Sequence, residues 1–243
     1  MAHIRDNRSL LAAAETRLLV GIARNLPASI TSDQLSALAL VSMFGAAAAF
    51  AFISISSWFA VLFILLLFLN WFGDSLDGTV ARVRNQQRPR YGFYVDHVID
   101  LAGTAALLNG MALSDAMTPS IGFALLAVYF MVAAETFLAT HSLGIFRMSF
   151  AGFGPTELRI LLAAGAIKIA SSPTAELMGH QVRLLDLGGL IAIAGLSAAF
   201  IVSAVRNGVA LYRAEPLRRS DNVRESPDAK AVEHGEALWS AGS

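Results

Sequence analysis

Cysteine is absent from the 243-residue sequence, and only 15% of its residues are charged. Without cysteine, these residues can form neither a disulfide framework nor a thiol nucleophile nor a zinc-thiolate site. The formal net charge is zero, so the charge balance indicates no particular partner. Hydrophobic residues, by contrast, make up 56% of the chain, and the mean hydropathy is +0.59. This composition is typical of an integral membrane protein.

The first thirty residues differ from a signal peptide, because arginines interrupt their apolar pattern and no small-residue cleavage site follows a clean hydrophobic core. Apolar residues instead recur there at helical spacing. They are Leu10, Leu11, Ala14, Leu18 and Ile22. We therefore expect residues 1–30 to form an amphipathic helix along the membrane surface, ending at Pro27.

Six further segments are apolar and long enough to cross about 30 Å of hydrocarbon as helices. They cover residues 35–55, 58–81, 91–113, 121–143, 154–170 and 185–211. The sequence thus predicts an all-α integral membrane domain over residues 31–214, with six transmembrane helices. Ser32 or Asp33 is expected to cap the first of them. Residues 215–243 are polar and poor in large apolar side chains, which predicts a disordered cytoplasmic tail.

Arginines concentrate in the connections on one side of the predicted bundle. They are Arg82, Arg84, Arg88 and Arg90 after the second segment, Arg147 after the fourth, and Arg206, Arg213, Arg218 and Arg219 near or beyond the end of the sixth. The opposite loops contribute little besides Arg183. By the positive-inside rule, both termini and the connection after the second segment face the cytoplasm, as expected for a multi-pass protein of a bacterial inner membrane.

Four aspartates lie where the second and third of these segments approach their shared connection. Asp74 and Asp77 are spaced i, i+3, and Asp96 and Asp100 are spaced i, i+4, so each pair projects from one face of its helix. Two facing helices would bring four carboxylates together. Such a group needs a cation, because like charges repel and burial disfavours each charge separately. Oxygen-only ligands favour Mg²⁺, Mn²⁺ or Ca²⁺ over zinc.

These aspartates belong to the pattern D-x-x-D-G-x-x-A-R, followed after nine residues by G-x-x-x-D-x-x-x-D. The pattern resembles the signature of the CDP-alcohol phosphotransferase family, and every fixed position is present. The resemblance implies a membrane transferase of phospholipid biosynthesis. Such an enzyme moves a substituted phosphoryl group from a CDP-alcohol to an acceptor alcohol and releases CMP. The resemblance also implies that the protein is a homodimer. It would bind these substrates and membrane lipids, and no nucleic acid.

The same resemblance assigns roles to individual residues. Two Mg²⁺ or Mn²⁺ ions would be held by Asp74, Asp77, Asp96 and Asp100. Asp100, the last of the set, would also be the general base for the attacking hydroxyl. The cytidine nucleotide would bind at Gly78, Ala81, Arg82 and Gly92. Small residues there allow the flat base or ribose to approach the helix backbone, and an arginine can hold a phosphate bidentately.

The acceptor and the donor remain open. A looser resemblance to choline and ethanolamine phosphotransferases, over the run that ends in G-P-T-E, would place Glu135, His141 and Glu157 around the acceptor. The donor is then a CDP-aminoalcohol and the acceptor diacylglycerol; the other option is CDP-diacylglycerol with a small polar acceptor. The alternative function is a divalent-cation transporter or channel, because intramembrane carboxylates also mark ion pathways.

Overall fold

A computed structural model of the protein describes residues 12–144, 155–172, 174–177 and 180–215. Helices in these ranges are α1 (Ala12–Asn25), α2 (Ser32–Ala51), α3 (Ser57–Val83), α4 (Pro89–Ala112), α5 (Pro119–Leu143), α6 (Pro155–Ser171) and α7 (Leu184–Ala214). Strands β1 (Thr174–Leu177) and β2 (His180–Arg183) form an antiparallel hairpin between α6 and α7. Each of the six predicted segments coincides with one of the helices α2 to α7. The hairpin was not predicted, and the predicted tail from residue 216 onward lies outside the described residues.

Four of the described helices, α2, α3, α5 and α7, are long and apolar enough to cross a membrane. The protein is therefore a multi-pass α-helical membrane protein. Helix α6 has 17 residues, and α4 carries Asp96 and Asp100 together with other polar residues. By length and composition these two helices do not qualify as spans, so six crossings stay a prediction. By internal contacts the chain divides into a unit that reaches Val202 and a second that begins at Ser203, within the last turns of α7.

The hydrophobic core of the first unit lies between α2, α3, α4 and α6. The rings of Phe50 in α2 and Phe63 in α3 are fully buried and meet edge to face, with their centroids 4.9 Å apart. Leu107 and Met111 of α4 belong to the same cluster. Because α4 also carries Asp96, this core fixes the position of half of the aspartate motif.

Glycines bring α2, α3 and α4 into direct backbone contact. A Cβ atom placed on Gly73 of α3 would lie 2.6 Å from the carbonyl oxygen of Leu35, and one placed on Gly110 of α4 would lie 2.2 Å from that of Ala47. Both carbonyls belong to α2. Membrane helices associate through such small residues, because lipid provides no hydrophobic force that would drive larger side chains together.

Helix α2 is capped one or two residues earlier than predicted. Its N-cap is Thr31, whose Oγ1 accepts a hydrogen bond from the Gln34 backbone N–H at 3.2 Å. The Thr31 N–H in turn donates to Gln34 Oε1 at 2.9 Å, which completes a capping box. The expectation that Ser32 or Asp33 caps this helix was wrong, because the reciprocal pair satisfies two helix-end donors and leaves Ser32 free to bond elsewhere.

Helix α1 ends at Asn25, just before the predicted stop at Pro27. From Thr16 onward, where its side chains are described, the buried residues are Leu19 and Ala23, which pack with residues of α2 and α3 around Leu76. Leu18, a member of the predicted apolar stripe, is 56% exposed. The described part of α1 therefore has an apolar face that packs on the protein and a further leucine on its outer surface.

An aspartate from α7 stabilises the start of α5. Thr118 is the N-cap of α5, and its own side chain makes no capping bond. Instead, Asp186 of α7 accepts hydrogen bonds from the Thr118 N–H and from its hydroxyl, both at 2.6 Å. Arg183 Nη1 also donates to this hydroxyl, at 3.4 Å. The carboxylate thus joins the beginnings of two helices at the end of α4 that is remote from the aspartate motif.

Candidate active site

The four aspartates lie near the end of α3 and in the first half of α4, and all four are half-buried. The negative charges of Asp74 and Asp96 both act on Asp77. The structure thus brings Asp74 of α3 and Asp96 of α4 within electrostatic range of Asp77. The charge of Asp100 acts on Tyr129 of α5, whose hydroxyl hydrogen-bonds to Thr104.

The first turns of α2 hold Asp77 in place. The Asp77 carboxylate accepts hydrogen bonds from the Ser36 hydroxyl and from the Gly78 backbone N–H. Ser32, one turn before Ser36, donates its hydroxyl to the backbone oxygen of Asp77 at 3.0 Å. Ser36 was not among the predicted site residues. The i, i+4 spacing of the two serines, which places them on one face of α2, was the available signal.

Asp74 is paired with an arginine of α6. Arg159 Nη2 lies 2.8 Å from Asp74 Oδ2, and Arg159 Nε donates to Asn70 Oδ1 at 2.9 Å. Asn70 is buried and donates to the Ala39 carbonyl oxygen at 3.0 Å. This network connects α6 with α3 and α2 beside the aspartates. Arg159 was not among the predicted site residues, although an arginine within an apolar helix is a recognised sign of function.

His97 lies between Asp96 and Asp100 in sequence but packs toward α5. Its Nδ1 is 2.7 Å from the Phe93 carbonyl oxygen and 3.7 Å from Asp96 Oδ2. The buried ring stacks on Phe93, with centroids 4.1 Å apart, and meets Phe137 of α5 edge-on. These contacts fix the rotation of α4 about its axis, and so the direction in which Asp96 projects.

The predicted nucleotide-binding residues have open surroundings. A Cβ atom on Gly92 would meet nothing within 4 Å, and one on Gly78 would meet only the tip of Arg82, at 3.8 Å. Packing within the chain therefore does not require glycine at either position. Arg82 is exposed and donates to Thr79 Oγ1 at 3.0 Å, while Ala81 is half-buried. A ligand could reach the backbone of α3 and the guanidinium from the same side.

Two arginines fix the connection between α3 and α4. Arg84 donates to three carbonyl oxygens of the α1–α2 connection: those of Ile30 at 2.6 Å, Leu26 at 3.0 Å and Pro27 at 2.9 Å. Arg88 forms an ion pair with Asp33 in the first turn of α2, and this hydrogen bond raises the pKa of its guanidinium. The start of α2 is therefore bound both to Asp77 and to the loop that precedes α4.

The predicted acceptor residues are spread over two helices. Glu135 and His141 lie on α5, half-buried and exposed respectively, and the half-buried Glu157 lies in the first turn of α6. Residues 145–154, which join these helices, lie outside the described residues. The role of the three side chains toward an acceptor stays a prediction.

Within the described ranges, no three histidine, aspartate or glutamate side chains are grouped closely enough to hold a metal ion. The donor set nevertheless fits a hard divalent cation, because all four members are carboxylates and the charges of Asp74 and Asp96 act on Asp77. The carboxylates of Asp74 and Asp77 here bind Arg159 and Ser36 instead. Ion binding by these aspartates stays a prediction.

Comparison with known proteins bears on the whole motif. The profile of the CDP-alcohol phosphatidyltransferase family matches residues 25–209, which include helices α2 to α6. A search of curated proteins gives no match. Among solved structures, the chain is similar to phosphatidylinositol phosphate synthase of Mycobacterium tuberculosis, crystallised with CDP-DAG bound. The TM-score is 0.52 and the identity 17%, over 82% of this chain and 94% of that one.

At that identity the structural likeness shows the fold alone. The family profile, however, covers most of the chain and contains all four aspartates. It confirms the resemblance carried by the motif. The chain belongs to the CDP-alcohol phosphatidyltransferase family.

Proposed function

We propose that the protein transfers a substituted phosphoryl group from a CDP-alcohol to an acceptor alcohol, with release of CMP, in the synthesis of phospholipids. Family membership supports the class of reaction. The observation that carries the proposal is the placement of the complete motif on α3 and α4, with the charges of Asp74 and Asp96 acting on Asp77. A homodimer, six membrane crossings and a motif that faces the cytoplasm of a bacterial inner membrane belong to the same proposal.

Asp74, Asp77, Asp96 and Asp100 would hold two Mg²⁺ or Mn²⁺ ions, which when bound neutralise charge on the diphosphate and on the departing CMP. Asp100 takes the proton from the acceptor hydroxyl as general base. The acceptor oxygen bonds to the phosphorus distal to the cytidine. The bond from that phosphorus to the bridging oxygen breaks, and CMP leaves with the electron pair. Ser36 keeps the Asp77 carboxylate in a fixed orientation.

The nucleotide would lie against the open surface at Gly78, Ala81 and Gly92. Arg82 would exchange its bond to Thr79 for a phosphate oxygen, since a guanidinium presents several donors to a single anion.

The structural neighbour was crystallised with CDP-DAG, so CDP-diacylglycerol with a polar acceptor is the first pair to test. A CDP-aminoalcohol with diacylglycerol is the second, and with that pair Glu135, His141 and Glu157 would face the acceptor.

Release of CMP by the purified full-length protein tests the reaction. With Mg²⁺ or Mn²⁺ in nanodiscs, we expect CMP from one donor class, and only when its acceptor is present. EDTA should stop the release, and re-addition of metal should restore it. Uptake of Mn²⁺ into proteoliposomes that contain the protein, with no CMP released from any donor and acceptor pair, would contradict the proposal and favour a transporter.

The absence of cysteine allows a direct test of the proposed orientation. Gln86 in the α3–α4 connection and Asp115 in the α4–α5 connection are both exposed, at opposite ends of α4. We expect Gln86→Cys to react with a membrane-impermeant maleimide only after the membrane is opened. Asp115→Cys should react in intact spheroplasts. The reverse pattern would place the motif outside the cytoplasm, and equal labelling of both would show that α4 does not cross the membrane.

A further inference from the structure

Arg159 is a cation held within the helix bundle beside an expected metal ligand. Its side chain is only 14% exposed, and that of Asp74 is 25% exposed. The arginine is held at two points, by Asp74 through Nη2 and by Asn70 through Nε. Asn70 is itself fixed by its bond to the Ala39 carbonyl. Arg159 is thus built into the fold, in contrast to a surface arginine that is free to move through solvent.

The charge of Arg159 opposes a second cation at the same carboxylate. Arginine stays protonated at all physiological pH values. It occupies Oδ2 of Asp74, and in a partly buried setting two cations near one carboxylate repel strongly. A divalent ion at Asp74 therefore has to weaken this ion pair. Without such an ion, the same pair neutralises Asp74 and reduces the repulsion among the aspartates.

We propose that Arg159 is a resident counter-ion of Asp74, which competes with the divalent cation and releases the carboxylate when that cation binds. Because Arg159 lies on α6 and Asp74 on α3, cation binding then loosens α6 from α3 at this point. Arg159 is a positioning residue in this role, and Asn70 retains its guanidinium after the release. The inference rests on the proposed function, since the cation is the one assigned to the aspartate motif.

Binding of Mn²⁺ to the full-length protein in nanodiscs, followed by electron paramagnetic resonance in the absence of substrate, tests this role. Removal of the competing charge in Arg159→Gln should tighten Mn²⁺ binding about tenfold. Arg159→Lys keeps the charge but not the bonds to both Asp74 and Asn70, so it should bind Mn²⁺ more weakly than Arg159→Gln does. Arg183→Gln is the matched control, because Arg183 of β2 bonds to Thr118 beyond the other end of α4, and α4 runs roughly 24 Å from Asp96 to that end. Its affinity should not change.

Unchanged or weaker Mn²⁺ binding in Arg159→Gln would overturn the counter-ion role. Asp96→Asn separates this failure from a failure of the proposed function. If Asp96→Asn loses Mn²⁺ while Arg159→Gln binds like the wild type, the metal site stands and the counter-ion role falls. If the wild type binds no Mn²⁺, the metal site and the counter-ion role are both contradicted.

A measurement on the wild type alone keeps the inference testable if Arg159→Gln does not fold. Saturating Mn²⁺ should increase amide hydrogen exchange in the first turns of α6, where the bond to Asp74 is released, relative to the α7 peptides. Equal exchange in α6 with and without Mn²⁺ would overturn the inference.

Discussion

Replacement of Asp77 or of Asp96 by asparagine is expected to lower the rate of CMP release by about 100- to 1,000-fold, with little loss of folded protein. Asparagine keeps the size of the side chain, and its amide oxygen can still accept the hydrogen bond from Ser36 that Asp77 receives. The substitution removes the negative charge that binds a divalent cation. The same charge causes the repulsion among the aspartates. Initial rates at saturating donor and acceptor, together with thermal unfolding of each variant, are the measurements.

Asp115→Asn is the matched control for this experiment. It makes the same chemical change at an exposed aspartate beyond the other end of α4, and its rate should stay within about twofold of the wild type. Full activity in Asp77→Asn or Asp96→Asn would remove the basis for the metal site. Loss of activity together with a lower unfolding temperature in both variants would instead show that the aspartates are needed for folding.

The helices could be predicted because their causes are local. Long apolar runs mark the membrane segments, and α4, α5 and α6 each begin at a proline, where the missing N–H removes a donor that has no helical partner. The pairing of aspartates within each helix also follows from spacing along the chain. The family motif links the two pairs through the sequence alone, and the charges that act on Asp77 agree with it.

The remaining features depend on contacts between distant parts of the chain. Arg159 and Asp74 are 85 residues apart, and Ser36 and Asp77 are 41 apart. Such long separations in the sequence do not indicate which residues pair in the fold. The strands β1 and β2 have only four residues each, and the sequence of β2, His-Gln-Val-Arg, does not alternate polar and apolar residues, so the hairpin gives a weak signal. The Thr31 cap is different, because its T-x-x-Q pattern was visible and points to a capping box.

Gly110 is the position where we expect the largest effect of a substitution on stability. Gly110→Ala should lower the free energy of unfolding by about 2 kcal/mol or more, because the new methyl group would lie 2.2 Å from the Ala47 carbonyl oxygen. A backbone carbonyl cannot rotate away as a side chain can, so α2 and α4 must separate. Thermal unfolding in a mild detergent, followed by circular dichroism, gives the change.

Two other glycines make the comparison specific. In Gly103→Ala the methyl group would lie 2.9 Å from Met43 Cγ, a flexible side chain of α2 that can shift, so a smaller loss is expected. In Gly165→Ala, on α6, it meets nothing within 4 Å, and the better helix propensity of alanine should raise stability by about 0.5–1 kcal/mol. The unfolding temperature should therefore be highest for Gly165→Ala, followed by the wild type and Gly103→Ala, and lowest for Gly110→Ala. If Gly110→Ala unfolds at the wild-type temperature, the backbones of α2 and α4 are not in contact, and the placement of Asp96 beside Asp77 loses its support.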